Sequence, residues 1–293
     1  MKIRRIVVGV DFREPSVAAA RWTALELAPQ AEIVVVHAVD VPRPPRPLRG
    51  ALAPVEPVAE NAVIGARARL ANLGPWLDGT RVVGEVAIGP AAERLIEAVD
   101  THAADLLVIA DHGERRGAWD FLGTTAERVI QRSSVPVFVA RDLPAGPPRR
   151  ILAAVDDSSV ARRALRWAAF LGRQLDAKVV ALHALEPVVH APVELAGMMP
   201  IVEIHGDLRI ETGRWLKEEA REAGAGPDVS RCQVRVGEPI REIFDAIERE
   251  RADLVVIGSR GAYSPIGAAL GGVSRAILRE AGVSVLVVGP LGR

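Results

Sequence analysis

Cysteine is nearly absent. Cys232 is the only one in 293 residues, so no disulfide can close within the chain, and no Cys/His group has the spacing of a zinc site. A reducing compartment fits such a chain. Net charge is absent too, with 37 Lys plus Arg against 37 Asp plus Glu. That leaves no global basic field to gather nucleic acid or an anionic membrane surface. No apolar run approaches the ~20 residues that a spanning helix needs. The basic and apolar start, Met1 to Val10, enters Asp11 at once with no h-region or cleavage site. It reads as a buried first strand, and the protein as cytoplasmic, with neither nucleic acid nor membrane as a partner. Catalytic signatures are missing as well: there is no Walker A ending in Gly-Lys-Ser/Thr, no Gly-x-Ser-x-Gly elbow and no His-Glu-x-x-His pair. His37 and His183 end equivalent strands and read as packed or rim residues, so nothing marks a general base.

What the chain does have is length for about two domains, and 49% apolar residues to build their cores. It also repeats itself. Arg5-Ile-Val-Val-Gly-Val-Asp11 returns as Arg150-Ile-Leu-Ala-Ala-Val-Asp156, and Arg21-Trp22 as Arg166-Trp167, 145 positions on. Ala104-Asp105-Leu-Leu-Val-Ile-Ala110 returns as Ala252-Asp253-Leu-Val-Val-Ile-Gly258, at an offset of 148. A period that drifts so little along the whole length means one unit used twice. The expected division is 1–141, a linker at 142–149 rich in proline and glycine, and 150–293.

In the first unit, near-continuous β-branched runs at 3–10, 31–39, 82–88, 106–110 and 135–140 predict strands buried on both faces. Helical patterns fall between them at 16–28, 56–76, 91–102 and 124–132. The second unit repeats this, with strands near 151–155, 178–185, 230–236, 254–258 and 284–289. Such alternation predicts an α/β fold, a parallel sheet with helices on both faces. The symmetry breaks at 41–57, rich in proline, whose counterpart 186–205 is apolar and carries Met198 and Met199. These read as surface connections, with partner docking as the alternative.

Ligands of open parallel sheets bind beyond the carboxyl ends of the strands, where strand order reverses. Two loops in each unit suit that place. One follows the first strand and holds Val10-Asp11 or Val155-Asp156. Its Asp reads equally well as a ligand to ribose, base or Mg²⁺ and as a cap of the next helix. The other follows the fourth strand: Ala110-Asp-His-Gly113 with Gly123-Thr124-Thr125, and Gly258-Ser-Arg260-Gly261 with Gly271-Gly272-Val273-Ser274. Glycines admit an oxyanion close to the backbone, and the helix that follows offers unpaired N–H groups to phosphate.

The spacing Gly-x2-Gly-x9-Gly-Ser/Thr after an Ala-Asp-Leu strand resembles the nucleotide signature of the universal stress protein family. The Val-Asp end of the first strand, the helices with Trp22 and Trp167, and the final Val135-Pro-Val-Phe-Val and Val283-Ser-Val-Leu-Val-Val strands agree with it. The resemblance covers almost the whole chain, twice. It implies two tandem Rossmann-like domains, each a five-stranded parallel sheet in the order 3-2-1-4-5. It further implies ATP, with or without Mg²⁺, between strands one and four, and pairing of copies into a homodimer through the last strand. Both copies depart from the pattern: Ala110 replaces the first glycine, and Gly272 replaces the hydroxyl residue. Ser274 is a candidate substitute for that hydroxyl. Asp111 and Glu114 in the first phosphate loop, with Arg115 and Arg116 as an offset, against Arg260 with no acid in the second, predict tighter ATP binding by the second unit. The alternatives are a dimerisation scaffold that needs no nucleotide and a slow ATPase.

Overall fold

The computed structural model describes residues 1–40, 56–73, 81–111, 124–186, 201–225, 229–261 and 270–290. Packing divides the chain into two units, with the break between Gly146 and Pro147. In the first, the β-branched runs form β1 (Arg5–Gly9), β2 (Glu32–Val39), β3 (Arg81–Ile88), β4 (Leu106–Ala110) and β5 (Val137–Ala140). Its helices are α1 (Glu14–Trp22), α2 (Glu56–Asn72), α3 (Ala91–Thr101) and α4 (Thr124–Arg132). The second unit holds β6 (Arg150–Ala154), β7 (Lys178–Leu185), β8 (Val229–Val236), β9 (Leu254–Gly258) and β10 (Ser284–Val288). Its helices are α5 (Ser159–Leu175), α6 (Ile201–Ala220), α7 (Pro239–Glu250) and α8 (Gly272–Glu280).

Strands of the first unit lie in the order β3-β2-β1-β4-β5, and those of the second in the order β8-β7-β6-β9-β10. Both are the expected 3-2-1-4-5, and the paired neighbours run parallel. Successive side chains of a strand point to opposite faces. Ile6, Val7 and Val8 are consecutive and each 0% exposed, so β1 is covered on both faces. In β6, Ile151, Leu152 and Ala153 repeat this burial. These are two tandem Rossmann-like α/β units, with the central strands supplying the core.

The repeated Asp of Ala-Asp-Leu has a structural task. Asp105 accepts from the backbone N–H groups of Arg4 and Arg5, and Asp253 from those of Arg149 and Arg150. Each carboxylate thus ties the start of the central strand to the start of its neighbour, at the sheet end opposite the carboxyl edge. The helix expected over 16–28 begins earlier, at Glu14, with Pro15 in its first turn where a missing N–H is harmless. It ends in a π-type turn, Thr23–Leu27. Trp22, at the end of α1, donates its indole N–H to the carbonyls of Pro144 and Gly146, so the linker lies on the first unit. The proline-rich 41–55 and the stretch 187–200 with Met198 and Met199 lie outside the described residues.

Candidate functional site

The loop after the central strand is built alike in both units, and neither Asp caps a helix. Asp156 Oδ1 accepts from the N–H of Ser158, while the N-cap of α5 is Ser158, whose hydroxyl accepts from Ala161 N. Asp11 Oδ1 accepts from Arg13 N (3.0 Å) and from the Ser16 hydroxyl (2.7 Å), and the N-cap of α1 is Arg13. Of the two readings of these residues, the cap is removed. Val10 and Val155 are buried and bond through N–H to Val36 and Leu182 of the next strand. Their carbonyls each lie 2.8 Å from a histidine Nδ1, of His37 and His183. A carbonyl only accepts, so in both rings Nδ1 carries the proton. The histidines are rim residues, as expected.

The two loops of the second unit meet. A Cβ built on Gly261 would lie 2.6 Å from Asp156 Oδ2, so only glycine leaves that carboxylate where it is. Gly258 is also a point of close approach: its Cβ would lie 3.1 Å from the Val160 side chain and 3.3 Å from Ala161 N at the start of α5. Neither glycine has the left-handed backbone that often explains such residues. Ser259, 1% exposed, holds the loop through its backbone, donating to Val288 O and accepting from Gly271 N. Its buried hydroxyl has no hydrogen-bond partner among the described residues, an arrangement that sequence reasoning missed. Arg260 is half-buried beside it.

Gly271 is the N-cap of α8 with no side-chain cap, so the first-turn N–H groups of Gly272, Val273 and Ser274 face no intrahelical acceptor. Gly272 is exposed, and a Cβ there would have nothing within 4 Å among the described residues. Ser274 does not stand in for the missing hydroxyl: buried, it donates to Gly258 O at 2.7 Å. The hydroxyl is spent on the loop's own carbonyl. What the second unit offers an anion is a helix N-terminus whose first residue is exposed, a half-buried guanidinium and a buried hydroxyl in the same loop. These groups fit phosphate.

In the first unit, Ala110 keeps a negative φ, and so stands in the glycine position without backbone strain. Thr124 and Thr125 open α4, the first exposed and the second half-buried. Gly113, Glu114 and Gly123 lie outside the described residues. Asp111 is not the open acid that the sequence suggested. Its Oδ2 accepts from Arg141 Nε at 2.6 Å, and a second guanidinium nitrogen joins it. The pairing follows from the register of β4 and β5, Ala110 opposite Ala140, which sets the next residues side by side.

Phe12 is the other residue that the sequence did not single out. It takes φ 63°, a left-handed value strained for a bulky side chain, at a cost on the order of 1–3 kcal/mol. Its ring centroid lies 4.3 Å from that of His37, with the Arg69 guanidinium 4.2 Å above the ring.

Comparison with known proteins places this geometry. The family model described as "Universal stress protein family" matches residues 2–141 and again 148–289. A universal stress protein of Mycolicibacterium smegmatis is 30% identical over 297 residues, 97% of each chain. One of Mycobacterium tuberculosis is 26% identical over 295 residues, 96% of each chain. Among solved structures, a universal stress protein from Archaeoglobus fulgidus superposes with a TM-score of 0.67 at 20% identity, over 97% of this chain and 96% of that one.

Proposed function

Since the chain belongs to the universal stress protein family, we propose that it is an ATP-holding module whose output is a bound state or an interaction. One observation carries this reading: the Asp156 carboxylate and Gly261 meet beside the open N-terminus of α8. A carboxylate suited to ribose, base or Mg²⁺ is thereby set next to N–H groups suited to phosphate. In the second unit the ligand is held by Val155, Asp156, Gly258, Arg260, Gly261, Gly271, Gly272, Val273 and Ser274. In the first it is held by Val10, Asp11, Ala110, Gly113, Gly123, Thr124 and Thr125. Ser274 contributes as a brace, through its bond to Gly258 O.

The second unit is the tighter site on this reading, though the charge argument needs restating. Arg141 offsets Asp111 in the first loop, so the difference rests on the added cation Arg260. Charge-assisted hydrogen bonds are roughly twice as strong as neutral ones. The proposal includes cytoplasmic residence, domains at 1–141 and 150–293, and assembly as a homodimer. No described helix is long and apolar enough to cross a membrane.

Mass spectrometry of small molecules released from freshly purified protein tests the reading, followed by titration with ATP. Stoichiometric ATP is expected. Protein that neither carries nor binds ATP would leave the dimerisation scaffold as the better account. Light scattering that returned 31.3 kDa at every concentration would remove the homodimer.

A further inference from the structure

Asp111 follows Ala110, the last residue of β4, and Arg141 follows Ala140, the last of β5. The register sets Ala110 opposite Ala140, so the two next residues come side by side. Both contacts from the guanidinium, Nε at 2.6 Å and a second nitrogen, fall on one carboxylate oxygen, Oδ2. The Arg141 side chain is 12% exposed. The second unit has the same backbone arrangement, with Ser259 N bonded to Val288 O as Asp111 N is to Ala140 O. Its residues at the equivalent positions, 148 further on, are Ser259 and Gly289, which cannot form an ion pair.

Arg141 also begins the connection from β5 to β6. Asp142 bends the chain at φ 40°, a left-handed value that Asp adopts more readily than most residues. Beyond this bend the buried Trp22 of α1 donates its indole N–H to Pro144 O and Gly146 O, each at 3.1 Å, and so holds the carbonyls on both sides of Ala145. The connection is thus fixed to the first unit at two points: the ion pair, at the start of the loop read as the phosphate contact, and the tryptophan. Linked contacts reinforce one another, because each keeps the other at high effective concentration.

A guanidinium binds carboxylate and phosphate through the same donors in the same fork geometry. A triphosphate held by the loop that Asp111 begins competes with Asp111 for Arg141, and its charge repels the carboxylate while it draws the guanidinium. We infer that Arg141 is a phosphate-binding residue of the first unit, held in reserve by Asp111, and that the connection it begins comes loose when phosphate takes it. This rests on the nucleotide-holding reading and adds how occupancy of the first unit is passed along the chain. It also gives the weaker binding expected of that unit a second cause, since the cation must leave a partner before it can serve.

The two members of the pair then act on affinity in opposite directions, which an ion pair with a merely structural role does not do. Asp111→Asn keeps the shape, removes the competing charge and should tighten ATP binding by the first unit. Arg141→Gln removes the ligand and should weaken it about tenfold or more, the effect of one hydrogen bond to a charged group. Both should loosen the connection in the absence of ATP.

The test uses the full chain. Photolabelling by 8-azido-ATP over a concentration series, with labelled peptides assigned to residues before or after 146 by mass spectrometry, reads affinity unit by unit. Elastase, which cuts after small residues, reads the release through its rate of cleavage after Ala145, exposed but held on either side. Wild-type protein should be cut slowly alone and faster with saturating ATP, and Arg141→Gln fast in both conditions. Wild-type cleavage indifferent to ATP, in protein whose first unit is labelled, would overturn the inference without any variant and leave the nucleotide reading intact. So would variants, folded by circular dichroism, that shift first-unit affinity in the same direction or not at all. Label confined to the second unit in every form would overturn the inference and restrict the nucleotide reading to that unit. Absence of label everywhere would overturn both.

Discussion

Gly272 offers a gain-of-function test of where the phosphates sit. It opens α8 at an exposed position, its φ is not left-handed, and a Cβ there meets nothing within 4 Å among the described residues. Gly272→Ser therefore adds a hydroxyl without displacing any atom of the described residues. A hydrogen bond to a charged group contributes about 1.5–3 kcal/mol. At about 1.4 kcal/mol per tenfold, the lower value alone tightens binding roughly tenfold. Isothermal titration of ATP into the full chain, at fixed magnesium and salt, reads this at the tighter site. Gly272→Ala, with a methyl and no hydroxyl, should match the wild type. A folded Gly272→Ser variant with unchanged affinity would refute the reasoning, because phosphate at this helix end could not ignore a donor placed beside it.

Three further outcomes follow from the same geometry. Asp156→Ala should weaken ATP binding without the stability loss of a missing cap, whereas Ser158→Ala should cost about 1 kcal/mol in urea unfolding and leave ATP affinity alone; the reverse pattern would restore the cap reading. Arg260→Ala should weaken binding by the second unit and flatten its dependence on salt, since a half-buried cation is screened in part; an unchanged salt slope would exclude the charge argument. Burial pushes the Cys232 thiol up, against a smaller opposing pull from Lys217. Its alkylation should thus show a pH midpoint above the ordinary thiol value of about 8.5. The matching stability is complete below that ordinary value and lost as pH rises through the folded one; a midpoint at or below the ordinary value would contradict the burial.

Much of the fold could be read before any coordinates. Continuous apolar runs such as Ile6-Val7-Val8 exist only to be covered on both faces, and the repeat set the same order in both units. The glycine loops were legible because the same glycine spacing recurs in both units, and here two of these glycines prevent collisions with α5 and with Asp156. Other features were hidden because they depend on register. Asp111 and Arg141 are 30 residues apart and become partners only when β4 and β5 align. Ser274 looked available because a sequence lists donors without their acceptors. Phe12 read as an ordinary loop residue, since nothing in its neighbours announces a left-handed backbone.

The bonds from Trp22 to Pro144 and Gly146 bear on how the halves should be separated for study. An expression fragment ended at residue 141, where the strand pattern stops, would lose both acceptors of a buried indole, leaving its N–H stranded in an apolar setting. One ended at 146 keeps them. The same contact supplies an optical reporter: a red-shifted, more quenchable tryptophan emission from the shorter fragment would mark the loss of its anchor.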